Sequence, residues 1–178
     1  PDGGAQHFAA TVHAIKNRCP DAKIEVLVPD FCGDQAAQDI ILDAPIDIFN
    51  HNVETIARLY PRVRHRADYA RSLNCLKHAA SYRPELVIKS GLMVGLGETD
   101  HEVLKLMQDL KAHNVHIVTI GQYLRPSIKH VPVSRYLKPE AYETFVAFGE
   151  AIGLDHVFAG PFVRSSYHAA EAFEAVKA

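Results

Sequence analysis

The chain has 178 residues, 48% of them apolar and 22% charged, with ten glycines and ten prolines; this ordinary globular balance excludes a disordered, collagen-like or coiled-coil protein. Nineteen lysines and arginines against 21 aspartates and glutamates leave a formal charge of -2, a field too weak to expect nucleic acid or an anionic membrane as partner. The longest apolar runs, Gly91 to Leu96 and Ile117 to Ile120, fall far short of the ~20 residues of a bilayer-spanning helix.

Three cysteines, Cys19, Cys32 and Cys75, are an odd number at separations that match no close-spaced metal motif, which points to a reducing compartment and idle thiols. No basic segment followed by an apolar one opens the chain, and Pro1 rather than Met stands first, so the true start is expected upstream.

Phe8, Ala9, Val12 and Ile15 recur at helical spacing up to Arg18, and Cys19-Pro20-Asp21 ends that helix. Lys23 to Val28 is β-branched and closes on Pro29-Asp30, a strand emptying into a loop. Ala36 to Asp43 predicts a helix, Ile46 to His51 a second strand, and Glu54 to Tyr60 and Tyr69 to Tyr82 helical material around the basic stretch Arg62 to Arg66. Leu86 to Val94 is an apolar run broken by one lysine, Lys89, the pattern of a strand buried on both faces of a parallel sheet. A glycine turn, Gly95 to Glu98, leads to Thr99, an N-cap with Glu102 three residues on. His116 to Gly121 predicts the fourth strand, Pro126 to Pro139 a loop, Glu140 to Ile152 a helix stopped by Gly153, and His156 to Ala159 a short extended piece. The tail from Glu171 to Ala178 is weakly helical. Alternating helices and strands imply a parallel α/β sheet, and four strands do not close a barrel.

In such folds ligands bind beyond the carboxyl ends of the strands. There the sequence places Asp30; Asn50, His51, Asn52 and Glu54; Lys89, Ser90 and Glu98; and Gln122, Tyr123 and Arg125. Asn50 to Glu54 could be a metal nest, a ligand clamp or a helix-capping turn. The glycines from Gly91 to Gly97 allow a flat ligand to approach the backbone, and equally serve plain turn geometry. A lysine inside an apolar strand must be paired, face a cavity or snorkel to the rim. Arg58, Arg62, Arg64, Arg66 and Arg71 suit either an anionic group or a solvated face. The 11 histidines show no His-x-His or His-Glu-x-x-His spacing, so they are expected to be scattered. Two other readings stay open: a metal-dependent hydrolase or lyase on a β/α barrel with Asp30, His51 and Glu54 as ligands, or a non-catalytic module that uses the arginine stretch to hold an acidic partner such as a carrier domain.

Six motifs in order add a resemblance: Asp2-Gly-Gly-Ala-Gln-His-Phe8, Val28-Pro-Asp-Phe31, Phe49-Asn-His-Asn-Val-Glu-Thr55, Lys89-Ser-Gly-Leu-Met-Val-Gly-Leu-Gly-Glu-Thr99, Thr119-Ile-Gly-Gln-Tyr-Leu-Arg-Pro126 and Arg164-Ser-Ser-Tyr-His-Ala169. Together they resemble the lipoyl synthase family of radical S-adenosylmethionine (SAM) enzymes. The resemblance implies a partial parallel (β/α) barrel with about four of six strands present, the whole of residues 1–178 forming its C-terminal part, and a docked tail. It implies sulfur insertion at C6 and C8 of a protein-bound octanoyl chain, with SAM and two [4Fe-4S] clusters as cofactors. Asn52, Glu54, Lys89, Gly91, Met93, Gly95, Gln122 and Leu124 are then the residues expected around SAM. Arg64 and Arg71 are expected at a carboxylate or substrate, and Ser166, with Ser165 as the alternative, at the auxiliary cluster. Partners implied are octanoylated lipoyl carrier domains of 2-oxoacid dehydrogenases, the glycine cleavage H protein, and a ferredoxin or flavodoxin. The implied location is the cytoplasm, or the mitochondrion in a eukaryote. Neither the Cys-x3-Cys-x2-Cys nor the Cys-x4-Cys-x5-Cys triad of the family is in the chain. These 178 residues alone are therefore expected to be inactive.

Overall fold

The computed structural model describes residues 2–166 together with Ala170, Glu171, Phe173 and Val176. Five parallel strands form one sheet in sequential order: β1 (Glu25–Leu27), β2 (Ile48–Asn50), β3 (Val87–Val94), β4 (Ile117–Gln122) and β5 (His156–Gly160). The piece expected to be merely extended at 156–159 is thus a fifth full strand, paired with β4 from Ile117↔His156 to Gly121↔Gly160. The helices are α1 (Ala5–Arg18), α2 (Gln35–Leu42), α3 (Tyr60–Val63), α4 (Tyr69–Tyr82), α5 (Asp100–Ala112) and α6 (Pro139–Ala151). Among the described residues no helix is long and apolar enough to cross a membrane.

Side-chain caps open three of the six α-helices among the described residues. Asp34 accepts from Ala37 N at 3.2 Å to open α2, and Asp68 accepts from Arg71 N at 2.7 Å to open α4. Thr99 and Glu102 form the expected reciprocal capping box at α5. One expectation fails at Glu54, which opens no helix. It forms an isolated parallel bridge with Leu92 at φ 65, and the next helical turn begins only at Ala57.

Side chains alternate across the sheet, so each strand serves two environments. On the helix side, Ile88, Leu92 and Val94 of β3 and Val118 and Ile120 of β4 join Leu76, Leu106, Met107 and Phe145 in the main core. Each such fully buried aliphatic chain stabilises the fold by roughly 1.5–3 kcal/mol. On the opposite face, Ile48, Val87 and Ile117 form a smaller cluster with Phe173 of the C-terminal tail, over whose ring Lys23 Nζ stands at 5.2 Å. Phe173 is docked there. Tyr167 to Ala169 of the expected tail motif lie outside the described residues, as does part of the helix expected from Glu171 onward.

α6 reaches β5 and α5 because Gly149 carries no side chain: a Cβ there would overlap Val157 Cγ2 and stand 3.1 Å from Met107 Cε. Gly to Ala in a helix normally stabilises by ~1 kcal/mol. Overpacking of a close-packed core costs ~1–3 kcal/mol and wins at this site. Gly149→Ala is expected to lower the unfolding free energy in urea titrations; a rise would show that α6 can shift freely on the sheet.

Candidate functional site at the carboxyl ends of the strands

The register of β2 against β3 slips by one residue just beyond the strand. Asn50 pairs with Lys89, yet Glu54 pairs with Leu92, so four steps on one chain meet three on the other. That is a β-bulge, a device that re-aims side chains at strand ends. Ser90 fills the gap in the ladder: its Oγ donates to His51 O at 2.8 Å and accepts from Val53 N at 3.3 Å. The ladder then resumes, with Glu54 N donating to Gly91 O at 2.9 Å and Met93 N to Glu54 O at 2.8 Å. Glu54 is held in the left-handed region, a conformation costing a bulky residue ~1–3 kcal/mol and found where a site over-determines it.

Arg64 fastens the bulge from outside. Its Nη1 donates to Asn52 O at 3.2 Å, Val53 O at 3.3 Å and Tyr60 Oη at 3.1 Å, and its guanidinium lies 5.3 Å from the Tyr60 ring centroid. Tyr60 Oη itself donates to Val53 O at 2.7 Å.

Inside the bulge is a cavity of about 210 Å³ lined by Asn52, Glu54, Gly91, Leu92, Met93, Thr119, Gly121, Gln122, Leu124 and the tail residues Val163 to Ser165. Its floor is bare backbone. A Cβ at Gly91 would stand 2.6 Å from Thr119 Oγ1 and 2.8 Å from Asn52 Oδ1, and one at Gly121 would overlap the Val163 carbonyl. The Asn52 amide hydrogen-bonds the Glu54 carboxyl, while Asn52 Oδ1 is buried with no partner. An orphaned acceptor at a bare floor is what a polar ligand with a donor group would satisfy. Burial raises the Glu54 pKa, opposed by the charge of Arg64 and the bond from Asn52.

Of the residues expected around SAM, Asn52, Glu54, Gly91, Met93, Gln122 and Leu124 thus converge. Gln122 contributes as part of the wall, since its side-chain amide is fully engaged elsewhere: Nε2 donates to Val94, Tyr123 and Arg135 carbonyls, and Oε1 accepts from Leu137 N and Tyr142 Oη. Gly95, at φ 101, sits against that amide and the Arg135 carbonyl. Its loop amides are taken by Glu98, whose carboxylate accepts from Gly95 N at 2.6 Å and Leu96 N at 2.9 Å. Lys89 shares the face of Gly91 and Met93 but lies one layer lower, fully buried and paired with Glu25 at 2.9 Å. Glu25 also accepts from Asn50 Nδ2 at 2.7 Å. Thr119 and Gly121 complete the floor without having been singled out; their register opposite Gly91 and Met93 is the signal that marks them. Ser165 lines the cavity, and Ser166 is exposed in a turn.

The remaining expectations separate. Arg71 pairs with Asp30 at 2.6 Å. Burial alone would raise the Asp30 carboxyl, but Arg71 and the Cys32 N–H hold it below its ordinary value. His51 Nδ1 donates to Val28 O at 2.9 Å from the helix side of the sheet. Asp30, His51 and Glu54 therefore do not form the metal nest, and no three His, Cys, Asp or Glu side chains among the described residues could hold a metal ion. Nor do the cysteines fit an iron–sulfur cluster: Cys19 and Cys32 are exposed, and burial, with Asp30 adding to it, pushes the Cys75 thiol up to about 12. A larger hollow of about 500 Å³ between α2 and α4 carries Asp30, Gln38, Arg71 and His78 on its walls, all already bonded within the chain.

The matched family model is the radical SAM superfamily, over residues 1–110. Lipoyl synthase of Rubrobacter xylanophilus is 51% identical over 98% of this chain and 54% of its own length; that of Caldanaerobacter subterraneus is 52% identical over 95% and 59%. The chain spans a little over half the length of these curated relatives. Among solved structures, Streptococcus suis SuiB superposes with a TM-score of 0.67 at 7% identity, covering 93% of this chain and 37% of that one. Methylornithine synthase gives 0.62 at 11%, covering 89% and 54%. These two likenesses concern the fold.

Burial lowers the His51 pKa against the pull of the Val28 carbonyl, with Arg64 adding repulsion. The unfolded chain therefore takes up a proton near the ordinary 6.5 that the folded chain resists, so stability is present above that pH and falls as pH drops through it. Unfolding free energies measured between pH 7.5 and 5.5 are expected to decline, by at most ~1.4 kcal/mol per pH unit from this group, and His51→Gln to flatten the slope. An unchanged slope in that variant would contradict this.

Over nearly its whole length the chain is similar to lipoyl synthases, and it belongs to the radical SAM superfamily.

Proposed function

We propose that the chain forms the floor and one wall of the SAM site of a lipoyl synthase, which inserts two sulfur atoms at C6 and C8 of an octanoyl chain held on a carrier protein. The observation that carries this reading is the orphaned Asn52 Oδ1 beside the bare backbone of Gly91, at the strand ends of a chain half identical to lipoyl synthases. SAM, when bound, would supply a 5′-deoxyadenosyl radical able to abstract hydrogen from an unactivated carbon.

The residues of the chain bind and orient. Gly91, having no side chain, lets the oxygens of Thr119 and Asn52 converge at the cavity floor, where they offer hydrogen bonds to a ligand. Glu54, locked by the bulge, presents a carboxyl to hydroxyl or ammonium groups, and Met93 and Leu124 supply apolar walls. Lys89 and Glu25 brace the layer below. Arg64 acts on substrate only through the bulge it holds, and Arg71 through Asp30. The thiolates of both [4Fe-4S] clusters would come from outside these 178 residues, with Ser166 or Ser165 the chain's own contribution. Octanoylated lipoyl domains, the H protein and a ferredoxin or flavodoxin are the partners, and the cytoplasm the compartment, that go with this chemistry.

Calorimetric titration of the whole protein with SAM tests the reading. Gly91→Ala, which places a methyl between Asn52 and Thr119, is expected to weaken binding by about tenfold or more, and Glu54→Gln to weaken it less, with circular dichroism unchanged. Unaltered affinity in Gly91→Ala would overturn the assignment.

A further inference from the structure

The loop from Leu124 to Leu137 leaves the cavity at Leu124 and stands out from the strand ends. Between Tyr123 and Pro139 it carries Arg125, Lys129, Arg135 and Lys138 and not one aspartate or glutamate. Arg135 is neutralised by Asp100. Among the described residues no carboxylate stands within ion-pairing distance of Arg125, Lys129 or Lys138.

The loop also exposes its largest apolar side chains: Ile128 is 84% accessible and Tyr136 72%. It is nonetheless built, because a set of hydrogen bonds within it and to its base fixes its course. Arg125 donates to the carbonyls of His130, at 2.9 Å, and of Ile128. Ser127 Oγ bonds His130 Nδ1 at 2.9 Å and accepts from Lys129 N at 3.3 Å, while Tyr123 Oη donates to Val131 O at 2.8 Å. The base is pinned by Ser134 N to Gly95 O at 2.8 Å and Leu137 N to Gln122 Oε1 at 3.1 Å. A preorganised loop that shows an isoleucine and a tyrosine amid unneutralised positive charge has the make-up of a protein-binding surface, and its charge selects an acidic partner.

We infer that the 124–137 loop, with Lys138 at the start of α6 beside it, is the docking surface for an acidic face of the folded carrier domain, seating that domain beside the cavity so that its acylated lysine enters past Leu124. This rests on the function proposed above and adds the place and the chemistry of the encounter. Ile128 supplies the apolar contact; Lys129 and Lys138 supply attraction and orientation; Arg125 shapes the loop.

Turnover by the whole protein is to be compared on two substrates: an octanoylated lipoyl domain, and a short octanoyl-lysine peptide without acidic residues. The double variant Lys129→Glu, Lys138→Glu is expected to raise KM for the domain by about tenfold, more at low than at high ionic strength. Its kcat and its KM for the peptide should stay unchanged, and Lys129→Arg with Lys138→Arg should behave as the unaltered protein. An unchanged KM for the domain, with normal turnover of the peptide, would overturn the docking assignment and leave the function standing. Turnover of neither substrate by the unaltered protein would remove both. A photo-crosslinking amino acid placed at Ile128 gives a second reading: capture of the carrier domain supports the inference, and capture only of other parts of the same chain overturns it.

Discussion

Everything at the mouth of the sheet depends on β3 serving two faces at once. Ile88, Leu92 and Val94 anchor it in the main core, which fixes Lys89, Gly91 and Met93 on the opposite side. A strand buried on both faces cannot twist to relieve a crowded contact. The missing side chain at Gly91 therefore leaves fixed room into which the side-chain oxygens of Thr119, from the paired strand β4, and of Asn52, from the bulge beyond β2, converge. The buried Lys89–Glu25 pair reinforces the same constraint. Its lysine is wholly inaccessible and the glutamate side chain 18% exposed, so loss of Glu25 would leave the lysine charge in a dry place, at ~3–5 kcal/mol.

The bulge translates that rigidity into a site. One extra residue between Asn50 and Glu54 lifts Asn52 over the floor and turns the Glu54 carboxyl inward, while Ser90, Tyr60 and Arg64 take up the backbone groups the slip leaves over. The tail closes the other side, lying on β4 where Gly121 makes room for the Val163 carbonyl. Two glycines, on neighbouring strands and facing the same way, thus make room for different groups of the protein: Gly91 for the side-chain oxygens of Asn52 and Thr119, Gly121 for the Val163 carbonyl.

How much of this is legible in the sequence follows the range of the interactions. Thr99 and Glu102 are three residues apart, and a capping box needs nothing else, so the start of α5 reads directly. The apolar run of β3 identifies a doubly buried strand for the same reason, and the six motifs point to the family. Glu54 misleads because its left-handed conformation is set by register against β3 and by Ser90, 36 residues away in a hydrogen-bond ladder that no local pattern encodes. Lys89 announces that it needs a partner, but Glu25 looks like any polar residue on an edge strand. Gln122 sits where a ligand contact is expected and in fact ties β3, the 124–137 loop and α6 together. The arginines illustrate the same limit: Arg58 bonds Glu102 and the Gly97 carbonyl, Arg64 the bulge, and Arg71 Asp30, so a stretch that suggests an anion surface is largely internal bracing.

On the proposed function, the ligand meets the chain where the oxygens of Asn52 and Thr119 converge over Gly91. The most direct measurement is a crystal structure of the whole protein with S-adenosylhomocysteine, a stable analogue of SAM. The adenosyl group is expected in the cavity over Gly91, with a donor of the ligand within hydrogen-bond distance of Asn52 Oδ1. A ligand ordered elsewhere, with Asn52 Oδ1 still unpartnered, would contradict it.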